Sequence, residues 1–289
     1  MSDVACRVVV PRWLFGITAA IVRRVPNRPK KFRSVLAFAM ARAESHGRLR
    51  VSVSGVRFDL ELSDWFQRLY ALGATDETPR RLLARFIPVG GTFIDVGANI
   101  GLYTCTIARH VGPAGRVIAF EPLPANLAML QANVALNGLM NTDVRALALS
   151  DSGGMLELFA PPGHPGGGSA NVSAKHGDDH VPLGKVEVVR LDDVFDQDSL
   201  DAMKLDVLGH ELKVLDGAHD TLRRHRPVLL CEVNQPEVFT GMLEFAESMH
   251  YSVMVERKGE LHPFDGTESP NDLFFVPVER SLPHDAGSS

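Results

Sequence analysis

Three observations predict an α/β fold with a mainly parallel sheet for residues 89–278. From Gly90 onward, short apolar runs alternate with segments of helical character, the pattern of strand–helix–strand units. The stretch Gly90 to Gly101, GGTFIDVGANIG, reads as a buried strand (Thr92 to Val96), a tight glycine turn and the start of a helix (Leu102 to Val111). Acidic residues then stand at or near the C-terminal ends of three expected core strands, Asp95, Glu121 and Asp206. In an open parallel sheet those ends share one crevice, where ligands bind.

The remaining elements follow in chain order. Residues 1–88 read as a helical and β-hairpin cover. Trp13 to Val22 is a ten-residue apolar run between Arg12 and Arg23. A spanning helix needs about 20 residues and no small-residue cleavage site follows, so the run is expected to form an amphipathic helix packed on the domain or resting on a membrane surface. A second helix is expected at about Phe32 to Ala43. Leu49 to Leu62 has near period-two alternation around Ser54-Gly55, a hairpin signal. Trp65 to Leu72 and Pro79 to Phe86 look helical, with Asp76 or Thr78 as caps. In the α/β portion, Arg116 to Glu121 is a strand and Pro124 to Asn137 a helix with Leu127, Leu130 and Val134 on one face. Val144 to Leu149 is a third strand ending at Ser150-Asp151, and Met155 to Phe159 a short extra one. The glycine- and proline-rich run Pro161 to Gly168 marks a loop, and the longer loop Pro161 to Asp179 is expected to close over an acceptor together with the N-terminal hairpin. Val186 to Leu191 and Ala202 to Val207 are strands, and His210 to His225 is one helix. Pro227 to Val233 is a strand, Glu237 to His250 a helix, Tyr251 to Glu256 and Asp272 to Val278 close the sheet, and 279–289 forms a loose tail.

Composition bounds the class. The chain of 289 residues is 45% hydrophobic, with mean hydropathy +0.01, values of an ordinary globular protein. The net charge of -5 is unevenly spread: residues 1–50 carry 11 Lys+Arg against 2 Asp+Glu, so +9, and the rest carries 19 against 33, so -14. The basic portion suits peripheral contact with an anionic membrane or an acidic partner, or a plain solvated face. Around the basic segment Arg23 to Arg33 it lacks interleaved aromatics beyond Trp13, Phe15 and Phe32, so nucleic acid is not the expected partner. Cys6, Cys105 and Cys231 are far apart and follow no metal or redox spacing. Cys105 and Cys231 are expected as buried reduced thiols, which points to a cytoplasmic compartment.

The glycine turn after a strand forms a nucleotide-like site, because the glycines allow close backbone approach and free helix N–H groups point at the ligand. Asp95, two positions before Gly97, is the informative detail. A dinucleotide fold keeps that position apolar because a diphosphate lies there, whereas a carboxylate suits a ligand with an adenosine and an ammonium. S-adenosylmethionine is such a ligand. Glu121, 26 residues after Asp95, can accept both ribose hydroxyls, and Ser150-Asp151 is placed to meet the adenine edge. A nicotinamide-dependent oxidoreductase fits less well, since GxGxxG from Gly97 would need glycine at Asn99 and Leu102.

The strings FIDVGANIG, VIAFEPLPANLAML with NVALNG, ALALSD, VVRLDDV, MKLDVLGHELKVLDGA and RPVLLCEVN, in this order between Gly90 and Asn234, resemble the FkbM-type S-adenosylmethionine-dependent methyltransferases. The resemblance implies a Rossmann-like class I methyltransferase fold, a seven-stranded sheet with helices on both faces. It also implies methyl transfer to oxygen, a hydroxyl of a sugar, glycolipid or polyketide-type small molecule. Carried over by position, Asp95, Gly97, Asn99, Gly101 and Glu121 hold the cofactor, with Ala98 and Pro122 beside them. One segment departs from the family: DVEG has become Asp206-Val207-Leu208-Gly209, while Asp206, Glu211 and Glu232 are retained. If the missing acid binds substrate in relatives, specificity is altered or activity lost, so a non-catalytic cofactor-binding protein on the same fold is the second alternative.

An alcohol nucleophile needs its proton removed, and a positioned His or carboxylate is the usual agent. Asp206, His210 and Glu232 are the candidates, with His210 within about one turn of Asp206. Asp206, Glu232 and Asn234 offer oxygen ligands that suit magnesium, a reading not favoured, and His176, Asp178, Asp179 and His180 read as a solvated loop and not a zinc site. No metal is therefore expected.

Overall fold

A computed structural model describes residues 11–24, 45–73, 77–160, 181–233, 236–267 and 270–282. The expected helix at 32–43, the loop 161–179, the polar residues 176–180, Asp76, Asn234 and all but the start of the tail lie outside the described residues. The chain divides into two units, Met1–Asp76 and Glu77–Ser289.

The first unit contains α1 (Arg12–Arg24), β1 (Arg48–Val53), β2 (Val56–Glu61) and α2 (Trp65–Ala71). β1 and β2 form the expected antiparallel hairpin, with Val53 opposite Val56. Its two turn residues, Ser54 and Gly55, have φ of 50° and 78°, the double left-handed conformation that matches strand twist in a two-residue turn. The alternation predicted for β2 puts Val56, Phe58 and Leu60 inside. Asp64 caps α2 by accepting the Gln67 N–H at 2.9 Å.

The second unit opens with α3 (Glu77–Ala84). β3 (Thr92–Val96), α4 (Leu102–Val111), β4 (Arg116–Phe120) and α5 (Pro124–Leu136) follow, then β5 (Thr142–Arg145), β6 (Ala148–Leu149), β7 (Gly154–Ala160) and β8 (Val181–Val189). Next come α6 (Leu191–Val194), β9 (Ala202–Leu205), α7 (Glu211–Asp216), α8 (His219–His225) and β10 (Val228–Glu232). α9 (Pro236–Ser248), β11 (Tyr251–Arg257), β12 (Glu260–Pro263) and β13 (Asp272–Pro277) complete it. The main sheet has the order β12-β11-β13-β10-β9-β3-β4-β5. The five strands from β10 to β5 are parallel; β13 and β12 run against them, and β11 runs with them but pairs antiparallel to both its neighbours. Seven of these strands form the expected mainly parallel sheet, and the hairpin partner β12 adds an eighth at the edge.

Strand alternation builds a core on each face. Ile94, Val96, Ile118, Phe120, Met203, Leu205, Leu229 and Cys231 pack with α7, α8 and α9 residues such as Val214, Leu222 and Met242. Their neighbours Phe93, Val117, Ala202, Val228 and Leu230 pack with Leu82, Leu83, Ile107 and Val111 of α3 and α4. Helices on both faces of a parallel sheet are the doubly covered α/β arrangement.

Two expected elements are divided. The run from Val144 to Leu149 serves two sheets: β5 pairs with β4, whereas Ala148 and Leu149 pair with Val188 and Val189 of β8 in a separate three-stranded sheet of order β6-β8-β7. The expected single helix from His210 to His225 breaks between α7 and α8, at Gly217. A Cβ there would lie 1.9 Å from the Ser150 carbonyl oxygen, so the backbone after β6 passes against the break.

Candidate functional site

The turn after β3 is shaped by left-handed residues. Gly97, Asn99 and Gly101 have φ of 74°, 51° and 91°, and asparagine is one of the few other residues that adopts this region readily. The Gly97 and Ala98 N–H groups both donate to the Phe120 carbonyl at 3.0 Å, which folds the turn over the end of β4. A Cβ on Gly97 would lie 2.1 Å from the Asp206 carbonyl oxygen. Only glycine lets the turn lie against the end of β9.

Asp95 does not face the crevice directly. It is fully buried under α4, where Thr104 donates both its backbone N–H (2.9 Å) and its hydroxyl (2.6 Å) to Oδ2. No hydrogen bond reaches Oδ1 among the described residues, and the cation beside it is a residue of the chain itself. Parallel register sets Lys204 of β9 opposite Asp95, with Nζ 3.9 Å from Oδ1. That Nζ donates to Asp206 Oδ2 at 2.9 Å and to the Gly97 carbonyl at 3.3 Å, and lies 5.2 Å from the Tyr103 ring centroid. Burial pulls the Lys204 pKa down, but Asp206 and Asp95 outweigh it and hold the ammonium well above the ordinary lysine value. Burial raises the Asp95 pKa, against the weaker pull of Lys204 at the longer distance and the Thr104 hydrogen bonds.

Glu121, just past β4, accepts the Asn99 N–H on Oε2 at 2.7 Å and the Leu123 N–H on Oε1 at 2.9 Å. It is 4% exposed, and burial pushes its pKa up to about 7 in spite of the backbone donors at Leu123 and Asn99, the Asn126 side chain and Lys204. A crevice opens here, lined by Gly97, Asn99, Glu121 and Pro122 on one side and by Asp206, Val207 and Leu208 on the other, with Leu123, Asn126 and Leu158 completing it.

The opposite wall is a tight turn held by Glu211. The Gly209 N–H is 2.9 Å from Oε2 and 3.1 Å from Oε1, and the Val207 N–H is 3.3 Å from Oε1. Between them Leu208 adopts φ of 51°, a left-handed conformation that costs a residue with a Cβ about 1–2 kcal/mol. Leu208 therefore presents a branched apolar side chain on the crevice wall, in a turn clamped by a buried carboxylate.

Of the remaining expected residues, Ala98 is buried inside the turn and Gly101 caps α4. Ser150 and His210 are joined to each other: Ser150 Oγ lies 2.8 Å from His210 Nε2 and donates to Asp151 Oδ1 at 3.0 Å. The expected His210–Asp206 couple is not formed, because Asp206 is engaged by Lys204 and the imidazole is turned to Ser150. Burial, with the Lys213 charge, lowers the His210 pKa against the opposing Asp151 charge. Asp151 is exposed, and its pKa is lowered chiefly by the Ser150 hydrogen bond. Glu232 is half-buried at the end of β10, opposite Asp272. Among the described residues no group of three or more His, Cys, Asp and Glu side chains gathers to hold a metal ion. Sequence reasoning missed Lys204, Asn126 and Leu158. A lysine inside the apolar strand AMKL was the available signal for the first.

Comparison with known proteins gives a consistent result. The family model described as Methyltransferase FkbM domain matches residues 95–253. Methyltransferase sdnD of Sordaria araneosa is 32% identical over 164 residues, covering 46% of this chain and 62% of that protein. Methyltransferase 1 of Beauveria bassiana is 28% identical over 191 residues, covering 59% and 76%. Among solved structures, the methyltransferase FkbM of Methylobacillus flagellatus is 18% identical with a TM-score of 0.46, covering 84% of this chain and 59% of that one. The chain thus spans less than two thirds of the length of sdnD and of the Methylobacillus protein. With the family model spanning the strand-end crevice and more than half of the sequence, the chain belongs to the FkbM methyltransferase-domain family.

Proposed function

We propose that the protein is an S-adenosylmethionine-dependent O-methyltransferase acting on a hydroxyl of a sugar, glycolipid or polyketide-type small molecule. Family membership supports methyl transfer, and the resemblance supports a hydroxyl acceptor. Glu121 is the observation that carries the cofactor reading. It is a buried strand-end carboxylate whose pKa stays near 7 although Leu123, Asn99 and Asn126 already donate to it. Two ribose hydroxyls are the kind of additional donor that favours its ionised form. The residues fit the cofactor in a second respect: the left-handed turn at Gly97 and Asn99 leaves backbone rather than side chain along one edge of the crevice.

When bound, S-adenosylmethionine supplies an electrophilic methyl group on sulfur. The work left to the chain is alignment of the acceptor and removal of its proton. Of the three candidates for the second task, Asp206 lines the crevice, and on this reading it faces the acceptor while Lys204 holds it in place. Leu208, Val207 and Leu158 then offer the acceptor an apolar surface. Calorimetric titration with S-adenosylmethionine and with NAD, followed by transfer of labelled methyl to a panel of sugars, glycolipids and polyketide alcohols, tests the reading. Binding of NAD in place of S-adenosylmethionine, or label on nitrogen or carbon alone, would overturn it.

A further inference from the structure

Helix α1 is apolar on two opposite sides. Phe15 and Ala19, one turn apart, are buried, and a Cβ added at Gly16 would lie 3.4 Å from Leu49 of β1. At about 100° per residue, Trp13, Ile17 and Ala20 fall together on the side facing away from that pair. These residues are exposed, Trp13 by 68% and Ile17 by 52%, with Leu14 beside them at 41%. A surface helix ordinarily turns polar residues to water. Here the run Trp13 to Val22 has one hydroxyl, Thr18, and that hydroxyl donates back to the Leu14 carbonyl at 2.8 Å.

We propose that this outer face of α1 rests on an anionic lipid bilayer, with Trp13, Leu14 and Ile17 at the boundary between headgroups and acyl chains. Charge selects this occupant. The helix begins with Arg12 and ends with Arg23-Arg24, and residues 1–50 carry 11 Lys+Arg against 2 Asp+Glu. A second copy of the chain would bring the same positive charge to the contact, whereas anionic headgroups complement it. Length sets the orientation: 13 residues make a helix about 20 Å long, short of the roughly 30 Å hydrocarbon core, so the helix lies in the plane of the surface. Tryptophan at the start of the apolar face suits that depth, and the basic sequence on either side of the face supplies charge complementary to the headgroups.

Sedimentation of the full chain with vesicles of equal parts phosphatidylglycerol and phosphatidylcholine tests this, alongside vesicles of phosphatidylcholine alone. The expected result is binding to the anionic vesicles, weak binding to the neutral ones and release by added salt. The double variant Trp13→Ser/Ile17→Ser changes exposed residues only and should keep the circular dichroism of the parent while losing about tenfold or more in vesicle affinity. A second readout uses Trp65→Phe, in which Trp13 is the one remaining tryptophan: its fluorescence should be quenched by brominated acyl chains. Failure to bind anionic vesicles, undiminished binding of the double variant, or absence of quenching would each overturn the proposal. So would a concentration-dependent dimer that the double variant abolishes and vesicles leave unaltered.

Discussion

The Lys204 ammonium lies 2.9 Å from Asp206 and 3.9 Å from Asp95, a single buried cation between the ends of two adjacent parallel strands. Through the Gly97 carbonyl it also ties the turn after β3 to the strand end that carries Asp206. Both walls of the crevice therefore depend on one side chain. Truncating the lysine leaves Asp95 buried without a counter-charge, at a cost of about 3–5 kcal/mol. Lys204→Met should lower stability by that order, read as a fall in denaturant midpoint with the slope unchanged. Without the cation, burial holds the Asp95 carboxyl still further above its unfolded value. The loss should then grow as pH rises through the carboxylate range and shrink in acid, and a pH-independent loss would assign the lysine a packing role only.

Gly217→Ala probes the break between α7 and α8. The φ of Gly217 is -76°, so alanine meets no backbone strain there. Its Cβ would nevertheless sit 1.9 Å from the Ser150 carbonyl oxygen, and backbone must move to admit it. Destabilisation of about 3 kcal/mol or more is expected, from thermal or urea unfolding. A loss under about 1 kcal/mol would mean that the segment after β6 yields easily.

His210 offers a test of who removes the proton in the proposed reaction. Its ring is buried, is turned to Ser150, and does not line the crevice. Loss of a general base costs about 10²–10⁴ in rate, whereas loss of one hydrogen bond costs about 1 kcal/mol of stability. His210→Gln should therefore keep kcat within about tenfold and unfold somewhat more easily. Since burial depresses the His210 pKa below the ordinary 6.5, its share of stability is present above that value and lost as pH falls beneath it. That acid loss should be absent in the variant. A hundredfold fall in kcat at unchanged KM would return the histidine to the base role.

What the sequence reveals, and what it hides, follows from the range of each interaction. The strand–turn–helix at Gly90 to Gly101 and the Ser54-Gly55 hairpin are local, written in neighbouring residues, and form as expected. Lys204 meets Asp95 across 109 positions, and only the register of β3 against β9 puts them side by side. In sequence the lysine merely interrupts an apolar strand. The run from Val144 to Leu149 is apolar apart from Arg145, and periodicity cannot tell that its two ends pair with different sheets. The helix break at Gly217 is hidden for a similar reason: Val214, Leu215, Ala218 and Leu222 keep a helical spacing straight across it, and all four are buried in one core.

The crevice itself predicts a pH dependence through Glu121. Its pKa is about 7 in the folded chain, against 4.5 for an ordinary glutamate, with burial as the chief cause. A raised folded value means the folded state holds its proton more tightly than the unfolded one. The associated stability is complete below about 4.5 and is lost as pH rises through about 7. At 1.36 kcal/mol per unit this amounts to about 3 kcal/mol. Unfolding titrations across that window should show the decline, and Glu121→Gln, which mimics the protonated form, should flatten it. Cofactor binding should run the other way. Ribose hydroxyls donate best to the carboxylate, so S-adenosylmethionine affinity should rise as pH increases through 7, and binding should release a proton, measurable as a buffer-dependent heat. Glu121→Gln should bind the cofactor weakly at every pH. Parent affinity that is flat across the window, with no proton released, would remove Glu121 from the ribose site while leaving the fold and the family assignment untouched.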